Sequence, residues 1–339
     1  MKKLVLMITA LMTCMVVGAA NIVTIEYNGA TVTVTIPDEL TAYVTCSSGT
    51  SSHVQLVQSE NVADGAPGEI TYQLSGSSDD GGFEMKGSYK CTVKLMGLTL
   101  NNPSGPAINI DNGKRIELNA NKDGGTNTLS DGANGDWKAC VYTKGHFELK
   151  GKGTLNIVGN TAHAISCKEY MQVKNLTLNI TGAKKDGIHC KQYFWMQSGK
   201  INISGAEDDG IQVELDGKTS TGILPDHEDA DADIDEDSGN CYLDDGTLSI
   251  KDFGKSAIKT DGQLIINGGT QDFDASAVSE NNNPAAGIST PRNDDATQLN
   301  DANHSVVIYD LTGRLLKDMR KGKVVIIKKD NEIKKVIIK

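Results

Sequence analysis

No stretch of this chain keeps apolar residues at the 3.6-residue spacing of an amphipathic helix, which argues against bundles and helical repeats. It has no L-x-x-L-x-L-x-x-N series either, so a leucine-rich solenoid is excluded. Only 5 of the 339 residues are Phe while 36 are Gly, which suits a turn-dense all-β chain. Positive charge is in short supply. With 33 Lys and Arg against 44 Asp and Glu, the net charge of −11 argues against nucleic acid and anionic membrane surfaces. It favours cations, neutral glycans, or acidic glycans bridged by cations. Beyond residue 20 no apolar run is long enough to span a bilayer, and no C-x-x-C pattern suggests zinc or redox chemistry.

What is present is a repeat. Val141-x-Thr143-Lys144, Phe147-x-Leu149 and Leu155-Asn156-Ile157 lead to Gly159. The pattern returns 24 residues on as Ile165-x-Cys167-Lys168, Met171-x-Val173, Leu178-Asn179-Ile180 and Gly182. It returns 23 later as Ile188-x-Cys190-Lys191, Phe194-x-Met196, Ile201-Asn202-Ile203 and Gly205, and opens again at Ile211. Each copy holds three short segments alternating with period two, with Gly, Asn, Lys or Asp at the corners. Three short strands cannot bury an apolar face alone, but stacked coils can. The expectation is an all-β, right-handed parallel β-helix of about 23 residues per coil and about eight coils, spaced about 4.8 Å apart.

The ends read differently. Residues 1–20 carry Lys2 and Lys3, an apolar run and Gly18-Ala19-Ala20, the pattern of a Sec signal peptide. Residues 21–76 are β-rich but off-period and predict an N-terminal β cap over the solenoid's exposed edges. The β-helix is expected over 77–274, with Met85, Cys91, Val93, Leu98 and Leu100 in its first coil. Ile108 and Ile110 compete for the register with Met85. The step of 33 from Ile108 to Val141 implies an insertion within 122–137, and the step of 47 from Ile211 to Ile258 is close to two coils. Residues 275–303 are polar and read as a flexible linker, and 304–339 as a small C-terminal β module. Cys167 and Cys190 stand on adjacent coils at a separation that permits a disulfide, while inward cysteines also serve as small hydrophobes.

The corner column just before each anchor is His163, Asp186, Asp209 and Ser256. Asp186 and Asp209 lie one coil apart, with Glu207 and Asp208 beside them. Two carboxylates at about 4.8 Å repel by about 1 kcal/mol in water and about 3–4 kcal/mol at an effective dielectric of about 20. Such a corner invites a hard cation, and the expected metal ligands are Asp186, Glu207, Asp208 and Asp209 with calcium as the ion. Neutralisation of a solvated corner by Lys184 and Lys185 is the plainer reading. The acidic run 226–237 offers D-x-D-x-D-x-D-x-D without the Gly and Glu of a calcium loop, so a site and a solvated charge run are equally open. Outward positions on the next face predict a glycan platform of Lys168, Tyr170, Lys191, Tyr193 and Trp195, or simply an aromatic ladder stiffening the sheet. Asn156, Asn179 and Asn202 predict a hydrogen-bonded ladder on the third face.

Two resemblances add to this. Residues 304–339 resemble the C-terminal sorting domain of type IX secretion cargo, through V-x-I-Y-D-x-x-G-R at 306–314, G-x-V-x-I from Gly322 and the terminal K-V-I-I-K. That implies the type IX machinery as a partner and an extracellular or outer-membrane-surface location. Residues 70–274 resemble a family of bacterial calcium-binding right-handed β-helix carbohydrate-binding domains. The motifs are G-L-T-L-N-N-x-x-G-x-A-I at 97–108, K-D-G-I-H at 185–189 and E-D-D-G-I-Q at 207–212. The resemblance implies a non-catalytic protein that binds acidic or cellulosic polysaccharide, and a monomer is expected. A polygalacturonase-like hydrolase lacks its G-H-G and R-I-K here. A pectate-lyase reading would need Lys191 as its base, because Arg115 is the only arginine on a coil. A purely structural surface protein is the third class.

Overall fold

The computed structural model describes residues 21–47, 52–217 and 237–281, and the backbone of three strands between 306 and 337. The expected signal peptide at 1–20, the acidic run up to residue 236, the linker beyond Asn281 and much of the sorting-domain motif lie outside the described residues. The chain divides into two compact units, residues 1–286 and 287–339.

The first unit is a parallel β-helix, built because each alternating segment hides its apolar side against the turns above and below. Its first ladder runs through His53–Gln58, Gly82–Lys86, Ile108–Asp111, Ala139–Thr143, His163–Cys167, Ile188–Lys191, Ile211–Glu214, Ile258–Thr260 and Val278–Glu280. The second comprises Ile116–Ala120, Phe147–Gly151, Met171–Lys174, Tyr193–Met196, Asn240–Leu243 and Leu264–Ile266. The third comprises Thr126–Asp131, Thr154–Gly159, Thr177–Ala183, Lys200–Ser204, Thr247–Lys251 and Thr270–Asp272. The long strands Ile70–Ser78 and Cys91–Asn102 serve both the second and third ladders. They turn the corner at Gly76 and Gly97, whose φ of 83° and 73° strain a side-chain-bearing residue.

The core is a set of columns. Val141, Ile165, Ile188, Ile211 and Ile258 are direct partners in register and wholly buried, as the repeat predicts. Cys91, Ile116, Phe147, Met171, Phe194 and Cys241 form the equivalent column of the second ladder. Each buried aliphatic or aromatic side chain contributes about 1.5–3 kcal/mol, and only stacking supplies the burial. Cys91, Cys140, Cys167, Cys190 and Cys241 are buried as free thiols, so Cys167 and Cys190 are not bridged.

Several boundaries differ from the sequence reading. Ile211 pairs directly with Ile258, so the 47 residues between them hold one turn and an insertion of about 24 rather than two turns. Length alone could not separate those cases. Parallel pairing begins before residue 77: Ile22–Asn28 pairs with Ile70–Ser78, and His53–Gln58 with Gly82–Lys86. Among the described strands there, Thr31–Thr35 and Val44–Cys46 pair antiparallel, and these short hairpins blur the period of the first turn. At the other end Val278–Glu280 pairs with Ile258–Thr260, and Phe273, Ala277 and Val278 pack on the core. The segment from 275 to 280 therefore belongs to the helix, its polarity being that of a terminal turn. Met85 pairs with Ile110 and Phe83 with Ile108, the second of the two registers. In the second unit, Val306–Tyr309, Val324–Lys329 and Glu332–Ile337 form an antiparallel three-stranded sheet.

Candidate functional site

The corner between the third and first ladders carries a chain of side-chain-to-backbone hydrogen bonds along the axis. The Asp186 N–H donates to His163 Nδ1 (3.3 Å), the Asp209 N–H to Asp186 Oδ1 (3.1 Å) and the Ser256 N–H to Asp209 Oδ1 (2.9 Å). The four residues of the sequence column thus cap one another turn by turn. Gly187 and Gly210 follow the two aspartates because a Cβ on Gly187 would lie 2.7 Å from the Gly210 carbonyl oxygen and one on Gly210 2.5 Å from that of Ala257.

The corner holds more charge than capping needs. Asp186 and Asp209 are each 1% exposed. One oxygen from each of Asp186, Asp208 and Asp209 lies within 4.8 Å of the other two. Burial works against the Asp186 charge, but the adjoining His163 and His189 rings and a hydrogen bond from the Asp209 backbone hold its carboxyl well below the usual carboxylate range. Burial pushes the Asp209 carboxyl up, and the charges of Asp186 and Asp208 add to that push against bonds from Ser256. Asp209 Oδ2 is buried and has no hydrogen-bond donor among the described residues. Asp208 Oδ1 lies 2.5 Å from Lys255 Nζ, an ion pair whose alignment falls short of a hydrogen bond. Three carboxylates with an orphaned buried oxygen fit a hard, oxygen-seeking dication such as Ca²⁺. Glu207 is not among the converging groups: it is exposed and pairs with Lys184.

Two histidines flank the same aspartate. His163 Nδ1 lies 3.0 Å and His189 Nδ1 3.2 Å from Asp186 Oδ2, and His189 Nε2 lies 3.3 Å from Glu214 Oε2. The sequence reading placed His163 in the column but passed over His189. The H of K-D-G-I-H, one alternation beyond the buried Ile188, was the available signal.

The predicted glycan platform divides. Tyr170 and Tyr193 are 1% and 0% exposed; His146, Tyr170 and Tyr193 stack at centroid distances of 4.4 and 4.8 Å. A ring so covered presents no face to a sugar, so these two tyrosines are packing residues. Trp195 is half-buried against that cluster and donates from Nε1 to Asp244 Oδ2 (2.6 Å). Lys168 is exposed, while Lys191 pairs with Asp216 (3.3 Å). The open face is the first ladder's outer column of Asn109, Tyr142, Ser166, His189, Gln212 and Lys259, aligned in register. All but Ser166 are partly exposed. This strip lies between the acid corner and the corner of Lys144, Lys168 and Lys191. The Asn ladder is present as predicted: Asn179 Nδ2 donates to Asn156 Oδ1 (2.8 Å) and Asn202 Nδ2 to Asn179 Oδ1 (2.7 Å).

Fold and corner together define a parallel β-helix protein with three carboxylates converging on one edge. The chain belongs to the carbohydrate-binding domain-containing protein family, whose model matches residues 58–317. Among solved structures it is similar to the polysaccharide lyase-like protein from C. thermocellum, in a gadolinium derivative. The TM-score is 0.53 at 18% identity, covering 76% of this chain and 99% of that one, a likeness of fold. No curated protein matches the chain.

Proposed function

We propose that this protein is a non-catalytic polysaccharide binder that holds Ca²⁺ at Asp186, Asp208 and Asp209. The ion bridges to an acidic glycan lying along the first ladder. The observation that carries the reading is the buried, unpartnered Asp209 Oδ2 amid three converging carboxylates. A cation there relieves repulsion between carboxylates and keeps open coordination positions for a ligand carboxylate. Lys168, exposed on the other border of the strip, supplies a donor for the same anionic chain. A regular glycan parallel to the axis meets similar groups turn after turn, so weak contacts add. Within this proposal the protein works outside the cell, exported by the signal at 1–20 and the terminal module.

Catalysis is the weaker reading. The base that a lyase would need, Lys191, is engaged by Asp216 and sits at the far end of its strand from the acid corner. The test is retention on polygalacturonate with Ca²⁺ and with excess EDTA, alongside ultraviolet detection of unsaturated product. Calcium-dependent retention without product supports the binder. Product formation moves the assignment to a lyase, and equal retention in EDTA removes the calcium bridge.

A further inference from the structure

The two histidines at the corner have no part in the calcium reading, and their geometry asks for a separate explanation. Three donor atoms converge: His163 Nδ1, Asp186 Oδ2 and His189 Nδ1 lie within 4.8 Å of one another, with the two nitrogens 3.0 and 3.2 Å from the oxygen. His189 Nε2 faces Glu214 Oε2 at 3.3 Å, so a proton on Nε2 has a carboxylate to bond while Nδ1 is the atom that can ligate a metal. His189 Nδ1 is buried and makes no aligned hydrogen bond among the described residues although it faces the carboxylate. His163 Nδ1 faces both the N–H of Asp186 at 3.3 Å and its Oδ2 at 3.0 Å. The three atoms present two imidazole nitrogens and one carboxylate oxygen to a common point, where a divalent ion would displace any Nδ1 proton and bind all three.

We infer that His163, Asp186 and His189 form a site for a divalent metal of the zinc class. Two imidazoles and one carboxylate are a donor set that suits Zn²⁺, Co²⁺ or Ni²⁺ rather than Ca²⁺. Donors on a tetrahedron with bonds of about 2.0–2.1 Å stand about 3.3–3.4 Å apart, close to the spacing found here. Glu214 supplies the outer carboxylate that commonly orients a ligating imidazole. The His163 and His189 side chains are 12% and 19% exposed, so the fourth position can reach solvent from the first ladder's open face. The site shares Asp186 with the calcium reading but not Asp208 or Asp209, so either can fail alone.

The test uses the full chain without tag histidines, stripped with EDTA and returned to millimolar-range Ca²⁺. Zn²⁺ is then added and bound metal counted by mass spectrometry, with Co²⁺ as a visible-absorption probe of geometry. The account expects one Zn²⁺ per chain held in excess Ca²⁺ and intense tetrahedral Co²⁺ bands. His163→Ala and His189→Ala should each abolish that binding with the circular dichroism spectrum unchanged. Glu214→Gln should weaken it by roughly 10–100-fold. His189→Gln serves should the alanine variant not fold, and Asp209→Ala should keep the zinc. No stoichiometric Zn²⁺ in the wild type, or Zn²⁺ binding that survives in the folded histidine variants, overturns the site.

Discussion

Asp209 shows what a single residue must carry at this corner. One oxygen caps the next turn through the Ser256 N–H, while the other is buried beside two further carboxylates with no donor of its own. Asp209→Asn keeps an acceptor for Ser256 and turns a buried negative group into an amide that can donate to its neighbours. In EDTA this variant should be more stable than wild type by about 1–3 kcal/mol, the cost of leaving a buried polar group unsatisfied. Added Ca²⁺ should reverse the order, since a ligand at 100 times its Kd stabilises the native state by about 2.7 kcal/mol. Thermal midpoints of both proteins with and without Ca²⁺ check this. An Asp209→Asn midpoint below wild type in EDTA would show that the corner is satisfied without an ion. At this scale much was legible: a spacing of 23 residues in a coil repeat puts Asp186 and Asp209 on one edge. What spacing could not give was burial and pairing, and so Glu207, which is exposed and pairs with Lys184, was grouped with the aspartates.

Single ladders divide the labour. Asn179 stands between Asn156 and Asn202 and bonds to both, so Asn179→Ala should cost about 1–3 kcal/mol, read as a denaturant midpoint. Ile188→Ala, which opens a cavity in a stacked column, should cost about 2–5 kcal/mol. The two outer faces predict opposite outcomes for aromatic substitutions. Tyr142→Ala, on the first ladder, should weaken retention on polygalacturonate while leaving bound calcium unchanged. Trp195→Ala, on the second, should lower the thermal midpoint and leave retention intact, because the ring packs against buried Tyr193 and bonds to Asp244. If Trp195→Ala abolishes retention and Tyr142→Ala does not, the second ladder is the binding face. Alternation in the sequence correctly put Tyr170 and Tyr193 on the outside of their strands. It could not tell that an outward position is covered, because coverage comes from packing of side chain on side chain along the column.

For the molecule as a whole, the regular turns were the legible part and the irregular ones were not. The column from Val141 to Ile211 follows from a period that local alternation makes visible. The first turn is interleaved with hairpins, the turn after Ile211 holds an insertion, and the last turn is polar because it is terminal. Each hides the period without changing the ladder. The C-terminal sheet falls in a unit of its own, and deleting 304–339 should leave the β-helix folded but retained in the periplasm, as cell fractionation would show. Delivery of the truncated chain to the cell surface would contradict the export proposal. The central claim, a calcium-bridged glycan binder, is tested most directly by retention of the full chain on polygalacturonate while free Ca²⁺ is titrated. Retention that rises with Ca²⁺, vanishes in excess EDTA and is lost in Asp209→Ala is the predicted result. Retention by wild type and Asp209→Ala alike, undiminished in EDTA, would contradict it.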